Sequence, residues 1–302
     1  MEDPADPGVA RVRLARAVAV IALLVTSCSS GGSGGPSGLH STPSSTPAHT
    51  NASDASPRPI TVNVGGRTIA GECSGETRAG TPTIVLDSGQ GSDRYQLTQI
   101  REAMAGRTLV CAYDRAGSGA SSPATTPRPI TDLVDDLHSW LAKGGVPAPY
   151  FLIGQSQGGA DAVLFAVQHP KSVAGFVAMN PGAPCSLYLR TAAKVMSHEE
   201  LASEVANCRG DNPEGVDLRP GDVVLRKALP ASMPYAIMYG WLCNGDEFCK
   251  RVRPVESADE ARLAKLGPRG RFIDVAGADH EFYATHLHAV LRTIDQVWQE
   301  AT

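Results

Sequence analysis

The stretch Tyr150-Phe151-Leu152-Ile153-Gly154-Gln155-Ser156-Gln157-Gly158-Gly159 constrains this chain more than any other. Four apolar residues of buried-strand type run straight into a serine bracketed by glycines, and Gly158–His169 then continues with apolar positions at helical spacing. A strand that turns sharply into a helix lifts such a serine oxygen clear of the sheet, and small residues on either side let the two backbones approach. The G-x-S-x-G pattern alone is weak in a chain with 31 glycines. Its strand and helix flanks separate it from a Gly-rich turn that merely connects two elements.

The rest of the body keeps the same alternation. Ile60–Val64 and Arg67–Cys73, joined by Gly65-Gly66, read as a β-hairpin. Thr83–Asp87, Thr108–Tyr113, Ala174–Asn180, Tyr235–Gly240 and Arg271–Val275 are further runs of strand length. Thr131–Lys143, Val255–Leu266 and about Ala284–Gln299 have helical spacing. Two antiparallel strands followed by repeated strand-helix units predict a mostly parallel sheet with helices on both faces. Residues 185–232 break the rhythm and predict a small insertion at the C-terminal edge of the sheet, where a substrate lid would sit. No internal repeat is visible.

At this point the chain resembles the α/β-hydrolase superfamily over roughly residues 59–302. Thr83–Ser92 is similar to its third strand and oxyanion loop. Tyr113-Asp114-Arg115-Ala116-Gly117-Ser118-Gly119-Ala120-Ser121 is similar to the turn after its fourth strand, and His169–Pro181 to its sixth-strand segment. The resemblance implies an eight-stranded sheet and a serine hydrolase with Ser156 as nucleophile. Asp114 and Arg115 then read as structural turn residues.

A serine hydroxyl needs a general base, and the order implied by the resemblance is serine, acid, histidine. His280 is the expected base, because its loop Gly277-Ala278-Asp279-His280-Glu281 directly follows the strand Arg271–Val275. His286 and His288 fall in the last helical pattern, and His198 in the expected lid. His169 ends a helix, where a protonated imidazole would suit the dipole. The expected acid is Asp246, after the strand Tyr235–Gly240, with Glu247 as the alternative. Asn180 occupies the point where some members carry the acid, and it cannot serve as an anion; Asp279 adjoins His280 and is poorly placed to orient its ring. The resemblance points to the backbone N–H groups of Gln157 and Gln90 as the oxyanion hole. No metal site and no cofactor fingerprint are present in the sequence.

The N-terminus reads as an address. Arg11, Arg13 and Arg16 precede the apolar run Ala17–Val25, which ends in Val25-Thr26-Ser27-Cys28. This is a signal-peptide pattern, too short to span a membrane. Its end resembles the lipobox of bacterial lipoproteins, which implies cleavage after residue 27 and lipidation of Cys28; the alternative is an ordinary secretion signal ending near a cysteine. The acidic residues before Arg11 are unusual for such a signal and point to a start codon further in. Residues 28–58, rich in Ser, Gly, Pro and Thr, lack the apolar side chains to offset ordering entropy and read as a tether. His40 and His49 lie in it and receive no role. The expected location is extracytoplasmic, with membrane contact through the lipid anchor alone.

Seven cysteines are present. With Cys28 lipidated, six remain, and the fold implied by the resemblance favours Cys73–Cys111, Cys185–Cys208 and Cys243–Cys249. The formal net charge of -4, with no dense Lys/Arg run, argues against nucleic acid as a partner. The expected function is hydrolysis of small-molecule or lipid carboxylic esters through an acyl-enzyme. The alternatives are amide, peptide or thioester hydrolysis with the same triad, or an inactive envelope-binding lipoprotein on a hydrolase scaffold. Epoxide and haloalkane hydrolases of this fold use an aspartate nucleophile, so Ser156 argues against those reactions. Oligomeric state is not encoded in any pattern.

Overall fold

The computed structural model describes residues 57–302. The expected signal segment 1–27, the lipidation site Cys28, and the tether as far as residue 56 lie outside them. Eight strands form one sheet: β1 (Arg58–Val64), β2 (Arg67–Ser74), β3 (Thr83–Asp87), β4 (Val110–Tyr113), β5 (Tyr150–Gln155), β6 (Val173–Met179), β7 (Tyr235–Tyr239) and β8 (Gly270–Asp274). Their spatial order is β1-β2-β4-β3-β5-β6-β7-β8. β2 pairs antiparallel with both β1 and β4, and every pairing from β4 to β8 is parallel. The order reverses between β4, β3 and β5, and parallel sheets of this kind place their sites beyond the strands' carboxyl ends at such a crossing.

Alternation along β5 shows how the sheet holds its two layers. Tyr150 and Leu152 face one apolar cluster with α2 (Ile130–Lys143) and α3 (Gln157–Gln168). Phe151 and Ile153 face the other, with α1 (Thr98–Met104) and the C-terminal helix. Trp140, Phe165 and Phe176 are fully buried on the first side, and Phe151 packs edge-on to Trp298 at 5.2 Å on the second. Each such side chain contributes about 1.5–3 kcal/mol through burial.

Between β6 and β7 lie α4 (Cys185–Ala192), α5 (His198–Cys208) and α6 (Gly221–Val224), in the region read as an insertion. Arg128–Pro129 pairs with Val216–Asp217 and ties this region to the start of α2. Three disulfides join Cys73 to Cys111, Cys185 to Cys208 and Cys243 to Cys249. The first crosses β2 and β4, where the two residues are register partners.

Three expectations change. α1 is a helix that the apolar spacing did not signal. The helix expected over Val255–Leu266 is α7 (Glu247–Glu260), which starts earlier because the Asp246 carboxylate accepts the Cys249 N–H at 3.1 Å. The last helical segment divides into α8 (Phe282–Thr285) and α9 (Leu287–Ala301). No helix among the described residues is long and apolar enough to cross a membrane.

Candidate active site

Ser156 stands between β5 and α3 with φ 53° and ψ −118°, a strained conformation for a side chain with a Cβ. Its neighbours leave it no alternative. The Ser156 N–H donates to the Met179 carbonyl at 2.7 Å, and the Gly158 N–H donates to the Ser88 carbonyl at 3.1 Å. A Cβ on Gly154 would sit 2.0 Å from the Gly158 carbonyl oxygen, and one on Gly158 would sit 2.2 Å from the Asp87 carbonyl oxygen. The glycines are therefore required by contact between β5, α3 and the end of β3.

Ser156, Gln157, Gln90 and His280 all line one cavity of about 220 Å³ beneath the insertion. Ser156 is half-buried and its Oγ makes no hydrogen bond among the described residues. Gln157 is the first residue of α3, so its backbone N–H has no helical partner. The Gln90 N–H is likewise without an acceptor among the described residues, although its neighbours Gly89 and Gly91 both donate, to Gln96 Oε1 at 2.6 Å and Glu214 Oε1 at 2.7 Å. Two free N–H groups beside a nucleophile are what a developing oxyanion requires.

A buried guanidinium fixes the loop that carries Gln90. Arg115 donates to Asp87 Oδ1 at 2.6 Å, to the Ser88 and Gly89 carbonyls, and through Nε and Nη2 to both oxygens of Glu214. Burial opposes its charge, but Asp87 and Glu214 more than offset this and hold its pKa above the ordinary value. The turn residue thus orders the oxyanion loop from behind.

His280 follows β8 as expected and lines the cavity, with Trp241 at 5.7 Å in an edge-on arrangement. Burial lowers its pKa below the ordinary imidazole value, and Glu281 and Asp279 oppose that only in part. The His280 carbonyl accepts from Gln155 Nε2 at 3.2 Å, Gln155 Oε1 accepts from Gln96 Nε2 at 3.3 Å, and Gln96 holds the Gly89 N–H. A line of amides therefore connects the loop of His280 to the loop of Gln90. The residues outside the elbow's serine and glycines, Gln155 and Gln96, carried no sequence signal for this.

The expected acid is not brought to the base. Asp246 is exposed, caps α7, and is not among the cavity-lining residues. An aspartate three residues ahead of the N–H it accepts, at the start of a helix, is an N-cap pattern, and that signal was available in the sequence. The alternative, Glu247, points outward and pairs with Lys250 at 2.6 Å. What meets His280 Nδ1 is Asn180, whose Nδ2 lies 3.2 Å away. His169 also departs from expectation. Its ring stacks on His138 at 4.1 Å, and burial first, then His138, lowers its pKa, so its neutral form is favoured.

The far wall of the cavity includes Val163, Leu164, Leu218 and Leu263 together with Glu256 and Glu260 of α7. Burial pushes the Glu256 carboxyl up to about 7 and the Glu260 carboxyl well above its ordinary range.

The family described as serine aminopeptidase, S33, matches residues 83–227, just under half of the chain. RutD of Azorhizobium caulinodans, a candidate carbamate hydrolase, is 33% identical over 125 residues, covering 41% of this chain and 46% of that protein. YbdG of Bacillus subtilis, an uncharacterized protein, is 29% identical over 108 residues, covering 35% of this chain and 33% of that protein. The chain thus spans less than half the length of these relatives. Among solved structures, alpha/beta hydrolase domain-containing protein 10 from mouse superposes with a TM-score of 0.60 at 17% identity, over 82% of this chain and 100% of the other. An enol-lactonase from Burkholderia xenovorans does so with 0.56 at 18% identity, over 79% and 99%. With the strand order and the elbow, these likenesses show that the chain has an α/β-hydrolase fold.

Proposed function

We propose that the chain hydrolyses carboxylic esters through an acyl-enzyme on Ser156, outside the cytoplasm and held to the cell envelope by a lipid on Cys28. One observation carries the catalytic part: a serine locked at φ 53° shares a cavity with a half-buried histidine and two unpartnered backbone N–H groups. Ser156 Oγ attacks the ester carbonyl carbon as its proton passes to His280 Nε2, and the carbonyl electron pair moves onto oxygen facing Gln157 and Gln90. Collapse of this adduct breaks the bond to the alcohol, which leaves with the proton from His280. Water then attacks the acyl-serine by the same route, releasing the acid and restoring Ser156.

The ester reading is supported by the cavity's apolar wall and by the enol-lactonase likeness, a lactone being a cyclic ester. Carbamate, amide and thioester carbonyls would undergo the same steps. A second reading, a binding protein without turnover, is favoured by one specific observation: an amide stands where the base would be expected to meet a carboxylate. Fluorophosphonate labelling of the full chain beside Ser156→Ala, followed by turnover of short-chain nitrophenyl esters, separates the two. The expected result is labelling lost in the variant, with kcat reduced by about 10³ or more. Folded wild-type protein that neither labels nor turns over esters would establish the binding reading instead.

A further inference from the structure

Asn180 closes β6 in a left-handed conformation, φ 45°, and its amide is 4% exposed. Its orientation is dictated by a two-way pairing with the end of β7. The Gly240 N–H donates to Asn180 Oδ1 at 2.8 Å, and Asn180 Nδ2 donates to the Gly240 carbonyl at 2.9 Å. Rotating the amide by half a turn would set N–H against N–H and oxygen against oxygen at both contacts. The nitrogen is therefore the atom that faces His280, 3.2 Å from Nδ1 and 3.2 Å from the His280 carbonyl.

An amide nitrogen has hydrogens and no lone pair to offer. An imidazole with its proton on Nδ1 would direct one N–H at another, whereas an imidazole with a bare Nδ1 accepts. We infer that Asn180 is a positioning residue for His280, which holds the resting imidazole as its Nε2–H tautomer and so keeps the hydrolase below the rate its site could reach. The base needed by Ser156 is the other form. To reach it the ring loses one proton at Nε2 and gains one at Nδ1, exchanged with water, and abandons its contact with Asn180. An anion in this place does the reverse, accepting from Nδ1–H and leaving Nε2 bare. Exchanging such an aspartate for asparagine reduces kcat by about 10⁴ in a Ser-His-Asp protease, with the geometry intact.

The inference rests on the reading of His280 as the general base, and its test is separable from the test of that reading. The full chain carrying ¹⁵N-labelled histidine is examined by two-bond proton–nitrogen correlation at about pH 7.5, where an imidazole is mostly neutral; His280→Gln assigns the ring. An Nε2–H ring in the wild type is expected, with an Nδ1–H ring in Asn180→Asp and ester kcat higher by about tenfold or more. An Nδ1–H ring in the wild type overturns the inference. So does an Asn180→Asp chain that labels with fluorophosphonate yet turns over esters no faster. Failure of the wild type to label bears on the serine reading alone, because the tautomer is read without turnover.

Discussion

The two sides of the cavity are built differently. On the serine side, the turn from β5 into α3 and the loop after β3 are fixed by backbone contact at 2.7–3.1 Å, by glycines with no room for a methyl group, and by one fully buried arginine. On the histidine side, half-buried His280 and exposed Asp246 lie on loops leaving β8 and β7, and the His280 backbone is held by side-chain amides from Gln155 and Asn180. The first side leaves no room for a methyl group at Gly154 or Gly158; the second is held by single side-chain hydrogen bonds. The groups proposed to act together thus come from regions of unequal rigidity, and on that proposal the histidine side is where a substitution should alter rate with the smaller cost to the fold.

Substitutions on the serine side should have the largest effects. Gly158→Ala places a Cβ against the backbone of Asp87 and Ser88, which cannot move without shifting β3. It is expected to abolish activity and destabilise the fold by about 4 kcal/mol or more, read by urea unfolding; near-wild-type stability would show that side to be softer than described. Next, Gln90→Pro removes an N–H proposed for the oxyanion hole and should lower kcat by about 10²–10³. Gln90→Ala loses only the side-chain bond to Asn212 and should stay within about threefold. Equal kcat/KM for wild type and Gln90→Pro would remove that N–H from the oxyanion hole.

The histidine side is tested more gently. Because burial lowers the His280 pKa, the neutral base persists as pH falls, and the acid limb of kcat/KM should have its midpoint below the ordinary value of 6.5. A midpoint above 6.5 would show that an anion does reach the ring. The smallest effect is expected at Asp246. Asp246→Asn keeps an N-cap and should change kcat by less than about threefold, while Asp246→Ala should lose about 1 kcal/mol of stability, read as a lowered Tm. A loss near 10⁴ in kcat for Asp246→Asn would restore it as the triad acid.

The same contrast explains which parts of the molecule are legible in the sequence. Tyr150–Gly159 encodes strand, turn and helix in ten contiguous residues, so the elbow and its two flanking elements were legible. All eight strands are legible as short β-rich runs, and the Cys73–Cys111 pair follows once β2 and β4 are neighbours. Asp246 stands at the start of α7 and not in the cavity, because where that loop ends and the helix begins sets its direction. A cap bond of 3.1 Å decided that boundary, and apolar spacing does not register it. Asn180 was noticed only as a missing charge. Its real contacts, to residues 60 and 100 positions away, are set by the crossing of β6, β7 and the β8 loop. α1 is seven residues with no capping side chain and no acidic first turn, so nothing local marked its start.

The bonds between Arg115 and Glu214 have a consequence for engineering. Glu214 belongs to the region between β6 and β7 that covers the cavity, yet both its carboxylate oxygens are held by a guanidinium beneath the oxyanion loop, and one also takes the Gly91 N–H. A graft that exchanges this cover for a foreign one, to alter the range of substrates, would strip a fully buried cation of half its counter-charge. Breaking a buried pair from one side costs about 3–5 kcal/mol, and here the strain would fall on the segment that carries Gln90. A transplanted cover should therefore bring its own carboxylate to that point, or the recipient should exchange Arg115 together with Asp87. Cover and proposed active centre are thus joined at one ion pair, and neither can be exchanged without regard to the other.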